Sequence, residues 1–353
     1  MVAEVQTNPL RSPSFSPGSP DPGTMKTPGR DRALDIVKGV LVVLMALYHG
    51  INYTAHLGLA FKWLGFLPPA FIFINGLLLS IVYTRKYDLD KPHVYSRLAF
   101  RGFKLGLLFT AMNIAVFLLR SKSQSSVIAN TFLFFQQWKQ VYLSGSGRVA
   151  VFEVLLPIAY FLLLSPVFLF AYKVRPATIP FFCAVVTIGC VLLEARVGLP
   201  DNIALWSAGL IGMSIGLVKE EIIKRVSVRW PAMLAAYLCY RTLSSVFGET
   251  YLVQMLGVLV TFFLCYGGAL LIRPGNVAAL LTLLGKYSLI AYVAQIVFLQ
   301  GYSAVFGRDS ESPAGVAFLF FAGGAVSAAV AYVTDRLRRL SARFNTTYQA
   351  VFP

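Results

Sequence analysis

From Ala33 to about residue 334 the sequence is a succession of apolar runs, each close to the length of one membrane crossing and separated by short polar breaks. A helix needs about 20 apolar residues to traverse the hydrocarbon core, and inside lipid it must satisfy its backbone hydrogen bonds within its own segment. Repetition of such runs excludes a soluble fold. Composition points the same way. Hydrophobic residues make up 57% and charged residues 13% of the 353 positions, against about 45–50% and 25% in soluble domains. The expected fold is an all-α polytopic membrane protein, a bundle of about ten transmembrane helices. The spans fall at 33–53, 66–84, 99–120, 149–172, 176–195, 202–218, 230–247, 250–272, 287–305 and 313–334.

The net charge of +16 does not indicate a nucleic-acid partner. The cations lie in short clusters between apolar runs, with no basic domain and no aromatic-rich basic stripe. Placing the N-terminus inside gives the inner segments 22 Lys and Arg and the outer segments 8, with Lys38 inside the first span. By the positive-inside rule both termini are then cytoplasmic. Residues 1–31, rich in Ser, Pro and Gly, read as a disordered cytoplasmic tail, 32–340 as the integral membrane domain, and 341–353 as a cytoplasmic C-terminal tail. The first apolar run, with no cleavage site beside it, reads as a retained helix. For the aromatic stretch TFLFFQQWKQVYL within the outer loop 121–148, two readings stay open: a segment lying in the interface or folded over the bundle, and a plain loop. Cys183, Cys190, Cys239 and Cys265 sit inside apolar runs without metal-ligand spacing, so buried free thiols and no bound metal are expected.

Candidate chemistry begins in the first span, RDRALDIVKGVLVVLMALYHGINY. At 100° per residue, Lys38 and His49 fall within about 20° of one helix face and roughly 16 Å apart along the axis, with Asp35 on the same side. Ionisable groups at such depth normally face a bundle interior or a water-filled cavity. One reading makes Asp35 and Lys38 an interfacial ion pair and His49 a packing residue. The other makes His49 a proton acceptor, the task imidazole suits best near neutral pH. At the start of the third span, Arg97, Arg101 and Lys104 recur at i, i+4 and i+7 and share a face. There they either anchor to anionic lipid or hold a polyphosphate at a helix N-terminus. Asn75 precedes Gly76 at a position suited to close helix approach. Glu153, at a depth similar to that of His49, either orients the imidazole as a triad acid does or pairs with Arg148. Gln295 and Arg241 read as packing residues.

Four of these segments resemble the membrane-bound acyltransferase-3 superfamily, most closely its OpgC-like branch. The first-span motif of a basic residue, ten intervening residues and a histidine is matched by Lys38 and His49. The second-span Phe-Ile-Asn-Gly is Phe73, Ile74, Asn75 and Gly76. The acidic residue followed by Leu-Pro is Glu153 with Leu156 and Pro157. The late Leu-Gly-x-x-Ser-Leu-x-x-Tyr pattern is Leu284, Gly285, Ser288, Leu289 and Tyr292, with Gln295 where relatives often carry histidine.

The resemblance implies a multi-pass enzyme of a bacterial inner (plasma) membrane. Such an enzyme moves an acyl group, acetyl or succinyl, from cytoplasmic acyl-CoA to a hydroxyl of an extracytoplasmic or lipid-linked glycan. Acyl-CoA is then a co-substrate, and no resident cofactor is expected. In that scheme His49 is the general base, Lys38 positions the thioester and Glu153 orients His49. Arg97, Arg101 and Lys104 bind the nucleotide phosphates, with Asp35 and Asn75 beside the substrate. A competing reading, a proton-coupled transporter or glycan flippase built on the same polar residues, requires paired broken helices. The sequence offers only Pro68 and Pro69.

Overall fold

The computed structural model describes residues 31–54, 63–120, 136–144, 152, 154–306 and 313–351. The expected tail over residues 1–30, Glu153 and the remainder of the 121–148 loop lie outside the described residues. Among the described residues every regular element is helical. In chain order these are α1 (Arg32–Thr54), α2 (Leu67–Lys86), α3 (Pro92–Arg120), a π-helical turn (Lys139–Ser144), α4 (Leu155–Val174), α5 (Thr178–Arg196), α6 (Asp201–Gly216) and α7 (Glu220–Val228). They are followed by α8 (Trp230–Phe247), α9 (Tyr251–Leu271), α10 (Asn276–Lys286), α11 (Ser288–Phe306), α12 (Pro313–Leu340) and α13 (Ala342–Val351). Eight of them, α1 to α5, α9, α11 and α12, are long and apolar enough to cross a membrane. A ninth crossing results if α6 and α7, bent by 104° at their junction, count as one span.

Prolines set several starts. Pro68 and Pro69 occupy the first turn of α2 and Pro231 that of α8, where the missing N–H is not needed and φ is already helical. Large apolar side chains point outward, as on a lipid-facing surface: Phe181, Val185, Ile188 and Leu192 along α5 and Phe318 and Phe321 on α12 are all exposed. Cys190 is buried, Cys183 and Cys265 are half-buried and Cys239 is exposed on α8, contrary to the expectation that all four thiols are buried. The Cys239 run is apolar, but one face of that run is turned outward.

Glycines bring the inner helices together. A Cβ on Gly76 would lie 1.9 Å from the Gly209 carbonyl oxygen, and one on Gly212 would lie 1.9 Å from that of Phe73, so the backbones of α2 and α6 touch; Arg85 at the end of α2 donates to the Gly216 and Val218 carbonyls at the end of α6, so the two helices run parallel. Likewise a Cβ on Gly39 would sit 2.0 Å from the Leu281 oxygen and one on Gly285 1.8 Å from that of Asp35. This pairing holds α10 backbone to backbone against α1. With no hydrophobic drive between helices in lipid, such close backbone approach is the main source of association. Antiparallel α11 and α12 are joined by the Ser327 hydroxyl, which donates to the Ala291 carbonyl at 3.2 Å. The start of α3 and the end of α4 are tied by an ion pair between Asp90 and Lys173.

Of the two readings of the outer loop, folding back into the bundle holds for residues 139–144. Val141 is 1% exposed. The Tyr142 hydroxyl meets that of Thr110 at 2.8 Å, and the Tyr142 carbonyl accepts from the Tyr160 hydroxyl at 2.7 Å.

Candidate active site

A cavity of about 320 Å³ opens inside the bundle. Its wall is made by α1 to α4, α10, α11 and α13, and it is largely leucine-lined. Lys38, Arg101 and Lys286 supply cations to the wall and Tyr83, Tyr287, Tyr292 and Tyr348 phenol rings. Each cation is held differently. Lys38 bonds Asp35, one turn back on α1, at 3.1 Å, so the ion pair anticipated from spacing exists and its lysine also faces the cavity. Arg101 donates to the Tyr83 hydroxyl at 3.3 Å. Lys286 donates to Asp335 at 2.7 Å; this carboxylate also accepts from the Tyr287 hydroxyl at 2.8 Å and pairs with Arg339 at 2.6 Å.

Of the three cations expected to share a phosphate site on α3, Arg101 lines the cavity, Arg97 is exposed, and Lys104 lies 4.7 Å over the Phe100 ring. Phe100 and Phe103 are exposed on the same helix, which places Lys104 on a lipid-like face with its ammonium positioned to snorkel. Asn75 also lines the cavity, and its amide donates back to the Phe71 carbonyl at 2.8 Å. Its neighbour Gly76 is the close-approach point on Gly209.

His49 sits away from the cavity lining. It is 8% exposed, and its Nε2 has no hydrogen-bond partner among the described residues. The Tyr48 ring meets it edge-on at 5.3 Å, and the Tyr292 ring lies 5.9 Å from it, centroid to centroid. Tyr292 also lines the cavity and packs at 6.4 Å against Phe152. One aromatic ring thus separates the cation-bearing cavity from the imidazole. One turn further along α11, Gln295 is fully buried, and neither of its amide atoms has a hydrogen-bond partner among the described residues. Glu153 lies outside the described residues; Phe152, beside it in sequence, is fully buried against Tyr292.

Lys286, Tyr287 and Tyr348 escaped sequence reasoning. Lys286 follows an apolar run too short to span, and Tyr348 lies in the segment expected as a tail. The Arg338 guanidinium stacks 4.6 Å over Tyr348 and 5.6 Å from Tyr287, and its Nε donates to Asn345 at 2.8 Å. Burial pushes the Tyr348 phenol above its ordinary pKa, against the opposing charge of Arg338.

A family model described as an acyltransferase domain matches residues 31–336. The chain belongs to the acyltransferase-3 family. The match contains Lys38, His49, Arg101, Lys286 and Asp335, so the buried imidazole and the cavity wall up to Tyr292 belong to the family domain. This acyltransferase is an integral membrane protein, with eight helices fit to cross a bilayer among the described residues. No curated protein and no solved structure matches the chain.

Proposed function

We propose that this acyltransferase takes its acyl group, acetyl or succinyl, from acyl-CoA and passes it to a hydroxyl of an extracytoplasmic or lipid-linked glycan, as in the OpgC-like branch it resembles. The observation that carries the reading is the position of Tyr292, whose ring belongs both to the cavity and to the surroundings of His49. Lys38, Arg101 and Lys286 meet the donor's phosphates, Arg97 captures them from solvent, and the leucine-lined depth takes the pantetheine arm toward Tyr292. His49 Nε2 removes the proton from the acceptor hydroxyl as its oxygen attacks the thioester carbonyl. The C–S bond breaks, the imidazolium returns that proton to the departing sulfur, and CoA leaves as the thiol. Glu153 orients the imidazole.

The cavity then opens to the cytoplasm. Lys38 near the start of α1 and Lys286, bonded to Asp335 near the end of α12, line one end of the bundle. A chain that enters and leaves at the same end supports an even number of crossings. Adding α8 to the eight qualifying helices and the bent α6–α7 pair makes ten. With the positive-inside excess, both termini are cytoplasmic, and the membrane is a bacterial inner membrane.

The test is release of free CoA thiol by protein in nanodiscs given acetyl-CoA or succinyl-CoA and a glycan extract. The wild type releases thiol, and His49→Ala, still monodisperse, loses about 10²–10⁴-fold in rate. Equal rates from both proteins would remove His49 as the base. No release from the wild type with either donor would remove acyl-CoA.

A further inference from the structure

The cavity wall includes Tyr348, which lies beyond the residues matched by the family model. Its helix, α13, has no buried residue, and its apolar hold is the half-buried Tyr348 ring, packed on the cluster of Val42, Leu284, Tyr287, Ala291 and Ala331. Further contacts fix it. Arg338, in the last turn of α12, bonds Asn345 and stacks on Tyr348, while Tyr348 meets Tyr287 edge-on at 5.9 Å and 79°. A ten-residue helix is marginal on its own in water, yet here it delivers one half-buried ring to a wall that also carries Lys286. This combination of an aromatic ring, a stacked guanidinium and ammonium groups across the cavity suits an anion with a flat heteroaromatic end. Bases stack on aromatic side chains and on arginine planes, and phosphates meet the cations.

We infer that α13 completes the donor site, with Tyr348 and Arg338 seating the nucleobase of the acyl donor while Lys38, Arg101 and Lys286 hold its phosphates. The inference rests on the reading of the cavity as the acyl-CoA site. It adds a substrate-binding element outside the family domain, and it makes Tyr348 a determinant of whether the donor must carry a nucleotide.

The test measures equilibrium binding of CoA and of phosphopantetheine, which keeps the arm and one phosphate and lacks the base, to the full chain in nanodiscs. Tyr348→Ala weakens CoA about tenfold or more, the scale of one base–aromatic stack, and leaves phosphopantetheine binding unchanged. That retained binding also reports that the variant is folded. Tyr348→Phe, which keeps the ring, binds CoA as the wild type does. Unchanged CoA affinity in Tyr348→Ala would overturn the inference, and so would an equal loss of both ligands, because the ring would then only shape the wall. If wild type binds neither ligand, the acyl-CoA reading itself falls and takes the inference with it. Wild-type binding that is unaltered in the variant defeats the inference alone.

Discussion

His49 and Gln295 are both buried polar side chains with atoms that have no hydrogen-bond partner among the described residues, and they should respond oppositely to removal. An orphaned amide in an apolar setting costs about 1–3 kcal/mol. Gln295→Met is therefore expected to raise the melting temperature by a few degrees in nanodiscs; a lower value would mean that the amide has a partner in the working protein. His49→Ala is expected to cost activity and not stability. Tyr292→Ala, which removes the ring between cavity and imidazole, is expected to lower kcat more than tenfold with donor affinity retained, since misplacement of about 1 Å already costs about 10²-fold. Single-turnover rates beside CoA binding would separate the two effects. Lys38 and His49 were legible in the sequence because ionisable groups are expensive within an apolar helix. Lys286 and Tyr348 were not, because cations and tyrosines at helix ends are routine membrane anchors. Arg97 and Lys104 were read with Arg101 because periodicity shows which residues share a face, whereas the apolar residues all round α3 do not tell which face is turned inward.

At the scale of elements, the α1–α10 pair fixes how far Lys38 stands from Lys286. Gly285→Ala would drive a Cβ into the Asp35 carbonyl, where only backbone movement can relieve it, at about 1–3 kcal/mol. We expect a lower melting temperature together with weaker CoA binding. Gly301→Ala, on α11 with nothing within 4 Å, is the control and should change neither. Loss of stability in both variants alike would show that the close approach is not the cause. The long spans, such as 66–84 against α2 and 287–305 against α11, were readable because about 20 apolar residues leave few alternatives. Helices α7, α10 and α13 were not, since nine to eleven residues fall below any membrane-length window and their positions depend on neighbours distant in sequence. The same holds for the inward fold of Val141 and Tyr142, which rests on Thr110, Tyr160 and Asn202.

For the whole molecule, the proposed orientation predicts accessibility. A cysteine introduced at Ser144 should react with a membrane-impermeant maleimide added to intact cells, and one at Ala350 should react only after lysis. The reverse pattern would invert the topology and place the cavity outside. Cys239, exposed on α8, should be replaced by serine first so that only the introduced thiol is read.

The cavity joins Lys38 in the first helix to Tyr348 in the last. During synthesis its wall therefore stays open until every helix between them has left the ribosome and entered the bilayer. Until α13 folds onto Arg338, the ammonium and guanidinium groups on the wall lack their last neighbour, and water must enter to solvate them. A nascent chain stalled after α12 would have inserted the eight membrane-length helices described above and would still hold a hydrated cleft in place of a finished pocket. Assembly of the cavity is thus a late event, set by the order in which the chain is made.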